Sequence, residues 1–512
     1  MVNKQTRKEK KKRKQQQRLK QKELLQKATD FPFIQNDKVV RYIQRSKVMF
    51  IMRGLAGAGK STIVEILQKK YKNSEVCSAD NFFSRNGSYE FDKNLLGEAH
   101  LNCHSLARVA CENKKPVVVI DNTNVMRWEM KAYLELAVKH NYVVIMVTPK
   151  TSWRWNPEEL ARRNKHGVTV EILQKKVTMF QDTIPLYYGW FLNEGDSERL
   201  LEMRNWIYQI CLQQCPAFRE VLCRHTGLTE GEEEDMNSTL RDHFTRSGSA
   251  GILHCTSRFC RWGKEDGAKQ YHDKKIVQSS CGKVFKLVVT GVTITPRTIA
   301  ARVKLNQRQL KLWGNDAREK DFKNHFRRNE ISTRIGELNQ SAASLKQNKC
   351  DSAMCKSLSV STNHTDVQVI DGHVSVVLRN SKRTSRSANK NAPGDALLTE
   401  NPFSVLEQSD AVDPVESSPV VPSTNESVSK GSNPPPNVAQ AVSAHVTLGF
   451  ANGIRAQQSG IDILEIISIA TRKGPAFMKR LDNAVLYYYG EGRCEVSFNK
   501  SLEYDSIFSG FY

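Results

Sequence analysis

The segment Val48-Met-Phe-Ile-Met-Arg-Gly-Leu-Ala-Gly-Ala-Gly-Lys-Ser61 joins an apolar run to a glycine-rich loop. The run predicts a buried strand, and the residues after the loop predict a helix. Three glycines, Gly54, Gly57 and Gly59, let backbone N–H groups close around phosphate oxygens at the start of that helix. Lys60, Ser61 and Thr62 follow them, and the lysine would reach the terminal phosphates. The sequence therefore predicts a nucleotide-binding loop for ATP or GTP, with Mg²⁺ on Ser61.

A second apolar run, Val117-Val-Val-Ile-Asp121, ends in a carboxylate. Folds with such a loop commonly hold the magnesium ion through an acid at the end of a neighbouring strand. Asp121 is the residue predicted for that role, together with Ser61.

Two further sites are predicted near this loop, each with an alternative. Asp80 follows a short strand and would either activate an acceptor hydroxyl or cap the next turn. Arg162 and Arg163 lie in Leu160-Ala-Arg-Arg-Asn-Lys-His-Gly167, which is typical of a phosphate-clamping lid in small-molecule or polynucleotide kinases. The alternative for the arginines is a plain basic helix end.

Strand and helix patterns alternate from Val48 to about Val147. This alternation predicts an α/β domain with a doubly wound parallel sheet. We place this P-loop domain at residues 31–235, where the acidic patch Glu230 to Asp235 marks its end.

A short pattern, His-x-Thr, occurs in Gly251-Ile-Leu-His-Cys-Thr-Ser-Arg-Phe259 and again in Ala444-His-Val-Thr-Leu448. Side chains alternate between the two faces of a strand, so each copy would present an imidazole and a hydroxyl together. Two such strands facing each other would bind a phosphate and move protons on both sides of the phosphorus. His243-Phe-Thr245 and His373-Val-Ser375 are similar enough to be decoys.

A second, α+β domain is predicted around these copies, at residues 241–325 and 441–512. Its signals are the β-branched run Val284 to Ile294, a helix through Ile461 to Ile469, and strands at Ala484 to Tyr489 and Cys494 to Phe498. Residues 326–440 turn to Ser, Asn, Lys and Pro and predict a disordered insertion.

Charge is strongly positive, because 77 Lys and Arg residues face 54 Asp and Glu residues and give a net charge of +23. This favours polyanionic partners such as RNA, nucleotides or an acidic membrane surface. Residues 1–30 predict a basic disordered arm that would be a tether to RNA, anionic lipid, cytoskeleton or a nuclear import receptor, or only a solvated tail.

Twelve cysteines form no framework, the chain shows no apolar leader, and the apolar runs are too short to cross a bilayer. We therefore expect a cytoplasmic protein with reduced thiols, soluble or peripheral to membrane, and no zinc site.

The sequence also resembles the vertebrate 2′,3′-cyclic-nucleotide 3′-phosphodiesterases, a family that includes the myelin enzyme and relatives induced in regenerating fish nerve. The resemblance covers about residues 31–325 and 441–512. It rests on the phosphate loop and on Phe31-Pro-Phe33, Asp121-Asn-Thr-Asn124, Pro149-Lys-Thr-Ser-Trp153, Pro185-Leu-Tyr-Tyr-Gly-Trp-Phe-Leu192, Gly251-Ile-Leu-His-Cys-Thr256, Phe259-Cys260, Thr295-Pro-Arg297, Ala301-Arg-Val303 and His445-Val-Thr-Leu-Gly449.

The resemblance implies a kinase-like first domain and a second domain of the two-histidine phosphoesterase superfamily. It implies catalytic roles for His254, Thr256, His445 and Thr447, and base stacking for Phe259. The implied reaction is hydrolysis of nucleoside 2′,3′-cyclic phosphates, including RNA ends, to 2′-phosphates without a cofactor. A polynucleotide or nucleotide kinase and an RNA- or cytoskeleton-binding scaffold remain the alternatives.

Three features depart from the family pattern. The chain ends in Ser509-Gly-Phe-Tyr512, with no cysteine for prenylation, which argues against that membrane anchor. Ser443 stands where the mammalian enzyme has an arginine two residues before its second catalytic histidine. The long insertion and the basic arm are additional.

Overall fold

The computed structural model describes residues 26–85, 88–227, 243–245, 252–314 and 441–512, together with positions 12, 13, 15, 16, 19 and 23 and three short strands between 359 and 378. The chain divides into two compact units, residues 1–329 with 438–512 and residues 330–437. Most of the predicted basic arm and most of the predicted insertion lie outside the described residues.

The first part of unit one contains a parallel sheet with helices around it. Its four strands have the order β2-β3-β1-β4, in which β1 pairs in parallel with both β3 and β4. Its elements are α1 (Pro32–Gln35), α2 (Asp37–Gln44), β1 (Val48–Met52), α3 (Lys60–Lys70), β2 (Ser74–Cys77), α4 (Leu96–Glu112), β3 (Val117–Ile120), α5 (Lys131–Lys139), β4 (Val143–Val147), α6 (Pro157–Arg163) and α7 (Val170–Thr178). The α/β fold predicted from the alternation is confirmed.

Burial explains why the strands of this sheet read as continuous apolar runs. Every residue of β1 and of β3 is buried, because helices cover both faces of the sheet. One face packs with Ile63 and Leu67 of α3, and the other packs with Cys103 and Ala107 of α4. The carboxyl ends of β1 and β3 therefore meet at one edge, where the phosphate loop and Asp121 lie.

The second part of unit one contains a nine-stranded antiparallel sheet with the order β8-β9-β10-β7-β5-β13-β12-β11, in which β6 also pairs with β10. Strands β8 and β13 pair as well, so six of the strands close into a ring. The elements are β5 (Tyr187–Leu192), α8 (Glu194–Gln214), α9 (Pro216–Thr226), β6 (Phe244–Thr245), β7 (His254–Phe259), α10 (Ala268–His272), α11 (Lys275–Ser280), β8 (Val284–Ile294), β9 (Thr298–Lys304), α12 (Gln307–Leu310), β10 (His445–Ala451), α13 (Gln458–Arg472), β11 (Phe477–Arg480), β12 (Ala484–Tyr488) and β13 (Cys494–Phe511).

Strand β5 is part of this second sheet, and helices α8 and α9 pack into the same hydrophobic core. The sequence, in contrast, places the end of the first domain near residue 235. Trp190 of β5 pairs with Cys255 and Phe508, and Leu200 and Phe218 share the same hydrophobic core. The difference arises because β5 finds its partners in later strands, and a single chain shows no sign of that pairing. The sheet begins about 50 residues before the predicted second domain.

The two parts of unit one pack directly against each other. Phe191 and Ile507 of the second sheet lie in the same hydrophobic cluster as Phe50 and Ile145 of the first. The hydroxyl of Tyr42 donates to the carbonyl oxygen of Phe191 at 2.7 Å. The first domain thus rests against β5, which neighbours the strand that carries His254.

The described part of unit two is one three-stranded antiparallel sheet, formed by strands Ser359–Thr362, Thr365–Ile370 and His373–Leu378. These strands fall inside the predicted insertion. Among all the described residues, no helix is long and apolar enough to cross a membrane.

Candidate active site

Two neighbouring strands bring the His-x-Thr copies together. Strands β7 and β10 are antiparallel and meet at the single pair Cys255 and Val446, both of which are completely buried. Since side chains alternate, the residues on either side of that pair all lie on the opposite face of the sheet. We call this surface the His-Thr groove; it is formed by His254, Thr256, His445 and Thr447, all half-buried.

Each histidine of the groove is fixed through the same backbone contact. The Nδ1 atom of His254 lies 3.3 Å from the carbonyl oxygen of Ile252, and Nδ1 of His445 lies 2.7 Å from that of Ser443. A carbonyl oxygen only accepts, so each Nδ1 carries a proton. The lone pair of the neutral ring is then on Nε2, which suits this nitrogen for accepting or returning a proton.

Two aromatic rings of the neighbouring strand β5 contact the His254 imidazole. Tyr187 of β5 stacks on the imidazole at a centroid distance of 4.6 Å, and Phe191 lies 5.3 Å from it. Burial lowers the pKa of His254 to about 4, the bond to the Ile252 carbonyl opposes this shift, and nearby His445 lowers the pKa further. His254 is therefore neutral at neutral pH, as a proton acceptor must be.

Helix α13 borders the groove beside His445. The hydroxyl of Thr447 donates to Ser459 Oγ at 3.2 Å, in the first turn of the helix. A methyl group at Gly460 would lie 3.3 Å from Cε1 of His445. The absence of a side chain at this position lets the helix approach the imidazole closely.

A bulge brings Phe259 to the same face. On β5, Gly189 pairs with Thr256 and Tyr188 with Arg258, so Ser257 is the extra residue. The bulge shifts the alternation by one, and Phe259, paired with Tyr187, joins the groove face. Its ring is half-buried, as a surface for base stacking requires.

The two decoy histidines lie elsewhere. Nε2 of His243 is 2.8 Å from the carbonyl oxygen of Pro296, and Phe244 pairs with Ala451 at the far end of β10. His373 begins a strand of unit two. His243 therefore lies outside the His-Thr groove, and His373 belongs to neither of the two strands that form it.

The phosphate loop, residues 54–61, lies at the edge of the first sheet. Gly54, Gly57 and Gly59 all have positive φ, and Gly59 caps the helix that begins at Lys60. Helix α6 packs so closely that a methyl group at Gly57 would lie 2.5 Å from the carbonyl oxygen of Leu160. Thr62 lies in the first turn of α3 and is exposed.

The charged groups at this edge are mutually coupled. Burial lowers the pKa of Lys60, and the nearby Asp121 and Asp80 oppose that shift. Burial raises the pKa of Asp121, which also bonds to Ser61. One oxygen of Asp121, Oδ1, is buried without a hydrogen-bond partner in the described chain. An unpartnered carboxylate oxygen beside a hydroxyl fits a hydrated Mg²⁺ ion held with a nucleotide.

Asp80 lies near these groups, with its Oδ2 atom 3.6 Å from Nε2 of His166. The cap of the turn that contains Asp80 is Ser78, whose Oγ accepts from the Asp80 amide at 3.3 Å. The alternative capping role is therefore taken by a neighbour.

Both lid arginines bind the same carboxylate. Arg162 lies 2.7 Å and Arg163 3.0 Å from oxygens of Glu159, all on α6. The guanidinium of Arg163 also lies 4.1 Å from the centre of the Trp153 ring, whose Nε1 donates to the carbonyl oxygen of Gly57 at 3.2 Å. Arg163 is thus linked to the phosphate loop, whereas Arg162 is largely exposed.

The sequence indicated no role for several residues that support the two sites. Arg53 donates to the carbonyl oxygens of Asn124 and Gln181, at 2.9 and 2.8 Å, and Thr151 donates to that of Ala58 at 2.9 Å. Tyr187 and Phe191 beside His254 lie in the apolar motif Pro185 to Leu192, which supported the family resemblance but indicated no role for either residue. Within the described part of the chain, no cluster of His, Cys, Asp and Glu side chains is arranged to hold a metal ion by itself.

Comparisons with known proteins agree with this geometry. The family model for 2′,3′-cyclic nucleotide 3′-phosphodiesterase matches residues 184–330 and 420–512, and an AAA domain model matches residues 49–183. The first match starts just ahead of β5.

Three relatives illustrate the similarity. The 2′,3′-cyclic-nucleotide 3′-phosphodiesterases of Rattus norvegicus and Mus musculus are both 34% identical over 291 residues, or 56% of this chain. The aligned segment spans 66% of each relative, just under two thirds of its length. NEDD4-binding protein 2 of Homo sapiens is 42% identical over 134 residues, which are 26% of this chain and 8% of that protein. The chain therefore carries a domain that matches the 2′,3′-cyclic nucleotide 3′-phosphodiesterase family over residues 184–330 and 420–512, and an AAA domain precedes it.

Proposed function

We propose that this chain hydrolyses nucleoside 2′,3′-cyclic phosphates to 2′-phosphates in the His-Thr groove, with RNA 2′,3′-cyclic ends among its substrates. The observation that carries the proposal is the convergence of two imidazoles and two hydroxyls on one face of two adjacent strands. The names of the mammalian relatives support the same reaction.

The reaction needs a base for water on one side of phosphorus and an acid for the leaving 3′ oxygen on the other. Imidazole suits both tasks near neutral pH. We assign the base to His254, because its lowered pKa keeps it neutral. His445 then donates the proton to the leaving oxygen, through Nε2.

The hydroxyls of Thr256 and Thr447 would stabilise the negative charge that builds on the phosphorus oxygens in the transition state. Each lies two residues from its histidine on the groove face. The strand register places Thr447 opposite His254 and Thr256 opposite His445, since Cys255 pairs with Val446 between them. The four groups thus surround one position for the phosphate, and Phe259 offers its ring to the base.

Alanine variants of the histidines test the proposal. His254→Ala and His445→Ala should each lower kcat for 2′,3′-cyclic AMP by about 10²–10⁴, the usual contribution of a general acid or base. His243→Ala is the matched control, because it alters a third His-x-Thr copy outside the groove. Unchanged turnover in both groove variants would refute the catalytic role.

A second function is proposed for the first domain: binding of ATP or GTP with Mg²⁺, and transfer of the terminal phosphate to an acceptor hydroxyl. The unpartnered oxygen of buried Asp121 beside Ser61 favours it. Lys60 would hold the phosphates, Arg162 and Arg163 would close on them, and Asp80 would activate the acceptor.

Transfer of labelled γ-phosphate to a 5′-hydroxyl oligonucleotide tests this second function, with Asp80→Asn as the inactivating change. Nucleotide binding without transfer in the parent protein would make the domain regulatory.

The net charge of +23 further leads us to propose that the chain binds RNA or other polyanions. Binding that weakens steeply with salt in both histidine variants would support such a scaffold role.

A further inference from the structure

An ion pair extends the groove face away from the catalytic histidines. Arg302 of β9 pairs with His445 in the strand register, and its guanidinium donates to the carboxylate of Glu495 on β13. Glu495 lies on the same face, since it pairs with Thr293, which pairs with Ala300, which pairs with Thr447. A cation and its partner thus lie on the surface that carries the reactive groups.

Gly291 provides the space for this arrangement. It stands between Arg302 and Ser497 in the register. A methyl group there would lie 2.4 Å from the carbonyl oxygen of Val496. The position must therefore be glycine, and the Arg302 side chain can cross the strand towards Glu495 without meeting a side chain from it.

The geometry places the guanidinium at a distance from the reacting phosphorus. Neighbouring strands lie about 4.8 Å apart, so β13 is about 10 Å beyond β9. A guanidinium that reaches towards β13 lies over β8, roughly 10 Å from β10 and His445. That separation is too large for the cyclic phosphate between the two histidines and is suited to the next phosphate along a nucleotide chain.

Two tyrosines adjoin the ion pair. Tyr487 pairs with Glu495, and the hydroxyl of Tyr489 donates to Glu495 at 3.5 Å. The two rings stack with centroids 6.3 Å apart. Half-buried aromatic rings on a sheet are a common surface for unpaired bases, which stack on them irrespective of sequence.

Stability alone does not account for the ion pair. The Arg302 side chain is 28% exposed and that of Glu495 only 11%, and a partly buried pair of this kind is weak evidence of stabilisation, because the cost of desolvation offsets the attraction. The strands that carry the two residues are already joined through β8 by continuous backbone pairing. Glu495 uses only part of the fork of five N–H donors of Arg302, which leaves donors for a ligand.

We propose that Arg302, oriented by Glu495, holds a second phosphate one nucleotide upstream of the cyclic phosphate, with the adjoining base against Tyr487. This inference rests on the proposed phosphodiesterase function and makes nucleotide chains with a 2′,3′-cyclic end better substrates than mononucleotides. A mononucleotide occupies the His-Thr groove alone. A dinucleotide occupies both the groove and the Arg302 subsite.

The experiment compares two substrates that differ only in that phosphate and nucleoside: 2′,3′-cyclic AMP and the dinucleotide ApA with a terminal 2′,3′-cyclic phosphate. Arg302→Gln should lower kcat/KM for the dinucleotide roughly tenfold or more, mainly through KM, because a charge-assisted bond to phosphate is lost. The value for the mononucleotide should change less than about threefold. Arg302→Lys should restore part of the dinucleotide value, since it keeps the charge without the fork.

Glu495→Gln and Arg493→Gln complete the design. Glu495→Gln keeps an oxygen that accepts from Arg302 and leaves the Arg302 charge in place, so the dinucleotide preference should be preserved. Arg493 is an ion-paired arginine beside the same sheet, and its loss should affect both substrates alike. Equal losses on both substrates in Arg302→Gln, or a Glu495→Gln variant as impaired as Arg302→Gln, would overturn the subsite. Failure of the parent protein to cleave either substrate would instead overturn the proposed function.

Discussion

Backbone groups of one segment form the phosphate loop, whereas side chains from two distant strands line the His-Thr groove. The loop is one contiguous segment with three glycines at positive φ, and its helix begins inside it. The groove depends on a single pair, Cys255 with Val446, between strands that a long insertion separates in the chain. The phosphate-binding backbone of the loop therefore comes from one local segment, whereas the groove exists only if the second sheet has the correct register.

The two regions also differ in charge. Beside the loop, the two carboxylates Asp121 and Asp80 raise the pKa of Lys60, which opposes the effect of burial, so opposite charges partly compensate one another there. In the groove, burial lowers the pKa of His254 and keeps its imidazole neutral. The charges beside the loop suit the binding of a charged phosphate group. The neutral imidazole of the groove suits the transfer of protons at a phosphate group.

We expect the largest difference between the effects on the two regions from Lys60→Ala. Affinity for ATP should fall by roughly 10- to 150-fold, the equivalent of one lost hydrogen bond to a charged group. Hydrolysis of 2′,3′-cyclic AMP should be unchanged, because the groove uses no residue of the loop. Isothermal titration with ATP and a steady-state assay measure the two quantities.

Lys69→Ala is the control for this prediction, since Lys69 is an exposed lysine at the other end of the same helix. It should alter neither quantity. A parallel loss of hydrolysis in Lys60→Ala would show that the regions are coupled through the contact of the first domain with β5.

The contrast also explains what could be read from the sequence. The loop, Asp121 and the parallel sheet follow from local patterns, since spacing and apolar runs are contiguous. The resemblance selected His254 and His445 over His243 and His373, a choice that spacing alone left open. Strand β5 was placed within the predicted first domain because its partners lie far along the chain. Arg302 was recognised only as part of the motif Ala301-Arg-Val303, because its position beside the groove depends on register with His445.

The second prediction concerns the position of the His445 ring in the groove. Gly460→Ala would put a methyl group 3.3 Å from Cε1 of that ring, and the ring must shift to relieve the contact. We expect kcat for 2′,3′-cyclic AMP to fall roughly tenfold, because small displacements of a catalytic group are costly. The melting temperature should change little, because the preference for alanine over glycine within a helix, about 0.5–1 kcal/mol, offsets the cost of the close contact.

Gly97→Ala provides the matched comparison, because it is also a helical glycine and a methyl group there meets nothing within 4 Å. It should leave kcat unchanged. Full activity in Gly460→Ala would mean that the helix does not constrain the imidazole.

The smallest effect is expected from acid, and it sharpens the assignment of base and acid. A histidine with the ordinary pKa of about 6.5 would lose about 30-fold of its neutral form between neutral pH and pH 5. Burial lowers the pKa of His254 to about 4, so kcat/KM for 2′,3′-cyclic AMP should fall less than about twofold over that range. If His254 were instead the proton donor, activity would be nearly absent at pH 7 and would rise as pH fell towards 4.

Protein stability must be followed over the same range. The folded state binds a proton at His254 less readily than the unfolded chain does, so the stability present above pH 6.5 declines as pH falls towards 4. Near-ultraviolet circular dichroism at each pH separates this loss from a change in catalysis. A 30-fold fall in kcat/KM at pH 5 with an intact spectrum would show that the base is an ordinary exposed histidine, and the burial of His254 would then have no part in the reaction.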